Sequence, residues 1–466
     1  MLLPLALVSE AGYLFLCRLR RLDVFVDEFL TVFFAVSLFY LVACWHASKN
    51  CPASATRRDL ALILLMGMVF RLTLAPLQPS LTEDPYRYRW NARLAAAGGN
   101  PYREHPSDPR WRSLRDATWP KVTGKDLASP YGPILEWSYR LTCAVVSRLT
   151  SNPFRQVLWF KLPFALADLA TAAVLLALLR RLGLAPGAIV IYFWSPLVIT
   201  EFWASGHNDS VLLLLLVAAL YTASIHRWFW SWGAWWAAFL VKFWPALLFP
   251  HLLLSGGLPD LRRRAGAAAA WLPVVAAIGL SYWSSYADLR WTLAGFLGGW
   301  TNNASLFHFL YAAAGRDFEQ TRSFMGLLVA GAALACAALR LPLVQGLLWT
   351  ITALLLLSAN CFPWYLTWLV PLLALEPVAP LLLWTALAPL AYHVLPLYAA
   401  VGQWREDPSF LYLEYVPVYA MLLATPWLAR YGRSGGRPPA LSAGSPLPST
   451  GGSMDSSPVS PTIARP

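Results

Sequence analysis

The sequence predicts an all-α, multi-pass integral membrane protein, and two observations carry that prediction. Hydrophobic residues fill 58% of the 466 positions and charged residues only 13%, whereas soluble chains average about 25% charged. Apolar runs of 14 to 18 residues recur from end to end, at 59–76, 186–203, 210–223 and 344–358. With their flanks these approach the roughly 20 residues that a bilayer crossing needs.

From the N-terminus, Met1-Leu2-Leu3-Pro4 lacks a basic segment, so a first membrane helix is expected rather than a cleaved signal. Downstream, Arg180-Arg181, Arg227, Arg262-Arg263-Arg264, Arg340 and Arg430/Arg433 fall at alternate ends of successive apolar segments. Placing all of them in the cytoplasm is self-consistent. Arg18, Arg20 and Arg21 then sit outside, the one cluster against the pattern. Two long polar loops, 77–156 and 285–322, fall on the extracytoplasmic side, the first carrying amphipathic helices. The arrangement needs 131–149, with its internal Glu136 and Arg140, to lie along the membrane or dip into it. It also needs 228–250 to form two short helices that turn at Lys242-Phe243-Trp244-Pro245. The total is roughly 13 or 14 helices with both termini cytoplasmic. Residues 1–430 form the membrane domain, and the Gly/Pro/Ser-rich stretch 431–466 is expected to be a disordered cytoplasmic tail. No internal repeat is present.

The net charge of +12 does not indicate nucleic acid, because the arginines are scattered between apolar segments and serve orientation. Six cysteines show neither CxxC nor Cys/His ligand spacing, so no metal site or disulfide framework is implied. Most of the 24 tryptophans read as interfacial anchors.

Four polar clusters interrupt the apolar background, and the expected topology brings them all to one face. The first is Glu83-Asp84 at the mouth of an apolar helix, followed by Arg87 and Arg93. Adjacent carboxylates raise one another's pKa, which suits Asp84 as a general base with Glu83 beside it. Arg71, inside an apolar span, joins Arg87 and Arg93 as a phosphate clamp, although loop arginines also snorkel to lipid headgroups. The second cluster is Glu201 with Gly206-His207-Asn208-Asp209. N-capping alone accounts for Asn208 or Asp209, but not for Glu201, His207 and Asp209 together at a membrane boundary. The third is Lys242, a candidate phosphate contact rather than a snorkelling anchor. The fourth pairs Asn302-Asn303 with Cys361-Phe362-Pro363-Trp364-Tyr365, where the aromatics offer a surface for a sugar.

These motifs are similar to a known family. Asp84-Pro85-Tyr86-Arg87-Tyr88-Arg89-Trp90-Asn91, with Gly98-x-Asn100-Pro101-Tyr102, resembles the first-loop signature of bacterial multi-pass GT-C glycosyltransferases, among them polyprenyl-phosphate-mannose-dependent mannosyltransferases. Ser205-Gly206-His207-Asn208-Asp209, Lys242-x-x-Pro245, Trp300-x-Asn302-Asn303-Ala304-Ser305-Leu306-Phe307 and Pro363-Trp364-Tyr365-Leu366 extend the resemblance. It implies a GT-C fold in the bacterial plasma membrane, a site on the extracytoplasmic side and a polyprenyl-phosphate-linked sugar donor. It also implies Asp84 as the base. Asn91 departs from the pattern, since relatives often carry a second acidic residue there.

The expected reaction is inverting transfer of a hexose, mannose by resemblance, to a glycan, lipid or protein hydroxyl. Arg71, Arg87, Arg93 and Lys242 would hold the donor phosphate. Glu201, His207, Asn208, Asp209, Asn302, Asn303, Trp364 and Tyr365 would position sugar or acceptor. Many members of the family that this chain resembles use no metal, although a divalent cation near Asp84 and Asp209 is conceivable. Two alternatives are a transporter or flippase of lipid-linked sugars and a non-catalytic subunit of an envelope-assembly complex. The former should carry its polar residues at mid-bilayer between repeats.

Overall fold

A computed structural model describes residues 1–49, 57–254, 258–281 and 300–431. Among these the secondary structure is helical, without a strand and with one isolated bridge, Asn302 to Asn360. Helices α1 (Leu2–Leu19) and α2 (Val26–Lys49) pack together, and α3 (Arg57–Leu74) packs on α1. The polar segment that follows is built on α4 (Asp84–Ala96), α5 (Pro133–Leu149) and α6 (Pro153–Phe160). Next come α7 (Leu162–Arg181), short α8 (Val190–Phe193) and α9 (Pro196–Ile199), α10 (Asp209–Ser224) and α11 (Trp228–Val241). The contacts of α7, α10 and α11 make the centre of the bundle.

Among the described residues, five helices are long and apolar enough to cross a membrane: Leu2–Leu19, Val26–His46, Pro153–Arg181, Phe318–Ala338 and Ala379–Val401. A sixth crossing exists if Pro186–Phe193 and Pro196–Ser205, bent by 54°, count as one span. The other apolar stretches expected to cross fold as shorter helices, such as Asp209–Ser224, Leu343–Leu357 and Pro363–Leu375. Elsewhere proline divides the apolar chain: Pro196 and Pro363 both open new helical segments, because a ring without N–H cannot continue a preceding ladder. The expected break at Lys242 is present, with α11 ending at Val241, Lys242 extended, and a 3₁₀ turn over Trp244–Leu248. Helix α5 buries Leu135, Glu136, Tyr139, Thr142 and Val146. Its opposite stripe, Trp137, Leu141, Val145 and Leu149, is exposed and apolar at every fourth residue. That pattern suits a helix lying against lipid. The expected tail, from residue 432 onward, and positions 285–299 of the second expected loop lie outside the described residues.

Two buried polar hubs lock the elements that carry the candidate residues. Arg71 of α3 is fully buried and pairs with Asp168 of α7, Nε to Oδ2 at 2.7 Å. Asp168 also accepts from Tyr192 Oη and Trp203 Nε1, at 2.7 and 2.8 Å. The Arg71 guanidinium donates further to the Gly67 and Phe193 carbonyls and lies 4.0 Å over the Phe193 ring. Removing one partner of such a pair costs about 3–5 kcal/mol, because the other charge stays buried alone.

In the second hub, buried Lys161 sends Nζ to the carbonyls of Ala75, Leu77 and Trp203, all within 2.8 Å. It thereby ties the end of α3 to the π-helical turn Thr200–Ser205. Gly206 follows with φ 77°, and a Cβ there would stand 2.6 Å from Lys161 Cγ. Glycine satisfies both demands at once.

Candidate active site

Helix α4 begins at Asp84, with Glu83 as its N-cap and Pro85 pre-set in the first turn. The carboxylate therefore sits at the positive end of a helix, which favours its charged form. Burial opposes this and is the larger influence. Together with nearby Asp209, against the pull of Lys242, it pushes the Asp84 carboxyl up to about 6. The side chain keeps 26% exposure. One helical turn on, the Tyr88 hydroxyl donates to Asp84 Oδ2 at 3.3 Å.

The Gly206 turn brings the second cluster to the first. His207 Nδ1 stands 3.7 Å from Asp84 Oδ2, and its Nε2 stands 3.4 Å from Glu201 Oε2. His207 and Glu201 are both fully buried. Tyr392 Oη donates to Glu201 Oε1 at 2.7 Å. The His207 ring stacks on Trp364, with centroids 4.1 Å apart.

Asp209 opens α10 and joins the third and fourth clusters. Its Oδ1 accepts from Lys242 Nζ and from Trp368 Nε1, both at 2.6 Å. Lys242 keeps about a fifth of its side chain exposed and lies 5.3 Å and 5.4 Å from the Tyr365 and Trp368 rings. Asp84, Glu201, His207, Asp209, Lys242, Trp364 and Tyr365, read from distant stretches of sequence, thus converge on one site.

Other expected site residues do not join it. The Arg71 guanidinium is occupied by Asp168 and two carbonyls, so it is not available to a phosphate. Arg87 is buried and donates to Asn91 Oδ1 and to the carbonyls of Thr123, Gly124 and Leu127, which organises the loop. Arg93 donates to the Leu114 carbonyl and to Asp116, which Arg89 also holds. Of the four expected phosphate cations, Lys242 alone stands in the site.

Asn208 does not use its side chain as a cap, but donates Nδ2 to Tyr139 Oη at 2.7 Å. Asn302 and Asn303 brace the chain around Cys361: the Asn302 backbone pairs with Ala359 and Cys361, and Asn303 Nδ2 donates to the Cys361 carbonyl and to Glu414. They steady the turn that carries Trp364 and Tyr365. Glu83 lies beside the site as the N-cap of α4, and its side chain makes no capping hydrogen bond. Burial raises its pKa, while Lys121 and Lys125 pull it back.

Sequence reasoning missed Tyr88, Trp368, Tyr392 and Glu136. Tyr88 was within reach, because it lies four residues after Asp84 on a helix. Tyr392 stands 191 positions from Glu201 and left no local signal. Glu136 is fully buried and accepts from Asn91 Nδ2 at 2.7 Å and from the Ser129 hydroxyl.

A divalent cation near Asp84 and Asp209 does not suit this donor set. Asp209 is engaged by a lysine, and Asp84 and Glu201 meet opposite nitrogens of one imidazole, too far around the ring to share an ion. Among the described residues no three His, Cys, Asp or Glu side chains group to hold a metal.

No curated protein and no solved structure matches the chain. A family model does, described as alpha-(1->6)-mannopyranosyltransferase, N-terminal domain, and it matches residues 17–255. That span exceeds half of the chain and holds Asp84, Glu201, His207, Asp209 and Lys242. The chain belongs to the alpha-(1->6)-mannopyranosyltransferase family, as a mannosyltransferase built into a multi-pass membrane domain.

Proposed function

We propose that this protein transfers mannose from a polyprenyl-phosphate donor to an acceptor hydroxyl at the extracytoplasmic face of the plasma membrane, with inversion. One observation carries the reading: a partly exposed carboxylate, Asp84, stands where His207, the Lys242–Asp209 pair and the Trp364 and Tyr365 rings converge. Asp84 takes the acceptor proton as its oxygen attacks the anomeric carbon. Lys242, over the aromatic floor, meets the donor phosphate and stabilises the charge that grows as the sugar–phosphate bond breaks. Tyr365, beside Lys242, lines the space in front of Asp84, while Trp364 is sandwiched between His207 and Phe362 and holds the imidazole in place.

The linkage in the family's description suggests an α-(1→6) product on a glycan, lipid or protein that presents a primary hydroxyl. An α product made by inversion requires a β-linked mannosyl phosphate. The exposed apolar stripe of α5 suits a prenyl tail lying in the adjacent lipid.

The test is transfer of tritiated mannose from polyprenyl-phosphate mannose to octyl α-mannoside by the purified protein. Asp84→Asn and Asp84→Ala are expected to abolish transfer while expression and unfolding temperature stay normal. Wild-type rates in both variants would end the assignment and favour a transporter or a non-catalytic subunit.

A further inference from the structure

Behind Asp84 lies an arrangement that the transfer reaction does not by itself demand. His207 is fully buried, and neither ring nitrogen makes a well-formed hydrogen bond. Each nitrogen nevertheless faces one carboxyl oxygen, Asp84 Oδ2 at 3.7 Å and Glu201 Oε2 at 3.4 Å. Glu201 Oε2 is also buried without a partner, although Oε1 accepts from Tyr392.

A neutral imidazole carries one N–H, so it can donate to only one of these two oxygens. Burial, with the Lys242 charge nearby, pushes the His207 pKa well below its usual range and keeps the ring neutral. The groups that face Glu201 are His207, Tyr392, Ser205 and, farther off, Asp209. None of these is a permanent cation. A buried carboxylate with no cation against it is strongly disfavoured. Asp84 is different, because it keeps solvent contact and feels Lys242, Asp209, Tyr88 and Tyr131 as well as His207.

One distribution of protons gives every contact a donor and an acceptor. We propose that Glu201 works as a neutral carboxylic acid that donates to His207 Nε2 and so fixes the tautomer whose Nδ1–H points at the Asp84 carboxylate. His207 and Glu201 are then positioning residues: they hold Asp84 oriented and ionised, and they touch neither sugar nor phosphate. The Trp364 stack fixes the plane of the imidazole, and the π-helical turn Thr200–Ser205 with its Gly206 exit places Glu201 and His207 on facing sides. Tyr392 supplies the remaining hydrogen bond on Glu201, so the acid's proton belongs on Oε2.

The inference rests on Asp84 as the base, and glutamine at 201 tests it. An amide keeps both contacts of a neutral acid: Oε1 accepts from Tyr392 and Nε2–H donates to His207. With the transfer assay above, Glu201→Gln is expected to keep kcat within about threefold of wild type and to leave the acidic limb of its pH profile in place. Glu201→Leu is expected to lower kcat at least tenfold at pH 7, move that limb to higher pH, and leave KM for the donor within about twofold. His207→Ala should match Glu201→Leu, and unfolding temperatures should show that each variant is folded.

A Glu201→Gln enzyme as impaired as Glu201→Leu would show that the carboxylate is needed charged, and would overturn the proposal. Normal kcat in folded Glu201→Leu would do the same. Failure of the underlying base assignment reads differently, because active Asp84→Asn enzyme would expose it whatever position 201 does.

Discussion

Because Asp84 must be ionised to accept a proton, the rate should follow its titration. Burial and the neighbouring Asp209 charge push its carboxyl from the usual 3.8 up to about 6. The sign follows: a base that gains its proton as pH falls loses activity on the acid side. One titrating group leaves about nine tenths of the enzyme active at pH 7, about half at pH 6 and about one tenth at pH 5. Lys242 is the chief influence that holds the value down. Lys242→Gln should therefore move the acidic limb upward by about half to one unit, besides weakening the donor. Asp209→Asn removes a like charge and should move it downward. The assay is kcat/KM for polyprenyl-phosphate mannose from pH 5 to 8 at constant ionic strength. A flat profile across that range would refute Asp84 as the titrating base, and so would a downward shift in Lys242→Gln.

Other consequences are equally open to measurement. Arg71→Met should lower folding stability by about 3–5 kcal/mol through the stranded Asp168, read as an unfolding temperature in detergent. An unchanged unfolding temperature with a raised donor KM would instead return Arg71 to the phosphate. Gly206→Ala meets Lys161 Cγ at 2.6 Å and a positive φ, so it should cost about 1–3 kcal/mol and depress kcat together with stability. Trp364→Ala removes the stack that holds His207 and is expected to lower kcat about tenfold, with KM for octyl α-mannoside little changed in the same assay.

The sequence made the helical membrane class legible because hydropathy is local. It revealed the site residues because charges are conspicuous in an apolar background. Asp84, Glu201, His207, Asp209 and Lys242 stood out on those grounds, and the fold brings them together. The arginines were misread for the same reason. Arg71, Arg87 and Arg93 look like free cations in one dimension, yet their partners lie far along the chain: Asp168 for Arg71, the carbonyls at 123–127 for Arg87, and Leu114 with Asp116 for Arg93. Asn303 shows the related error, for a side chain that braces a turn reads in sequence like one that binds a ligand. Hydropathy registers an apolar run but not where its ladder breaks, as at Pro196 and Pro363, which open new helical segments.

Asn91 has a consequence for what this loop can tolerate. Its amide accepts from Arg87 on one side and donates to Glu136 on the other, at 2.8 and 2.7 Å. The three side chains therefore carry at most one negative charge, on Glu136, opposite the Arg87 cation. An aspartate at 91 could still take the Arg87 hydrogen bond, but it would set two carboxylates at hydrogen-bond distance, and one of them would have to keep a proton. Positions 91 and 136 thus share a single negative charge between them. An acidic residue can sit at 91 in this architecture provided that 136 surrenders its own, and Asn91→Asp with Glu136→Gln is the pair of changes that keeps the account level.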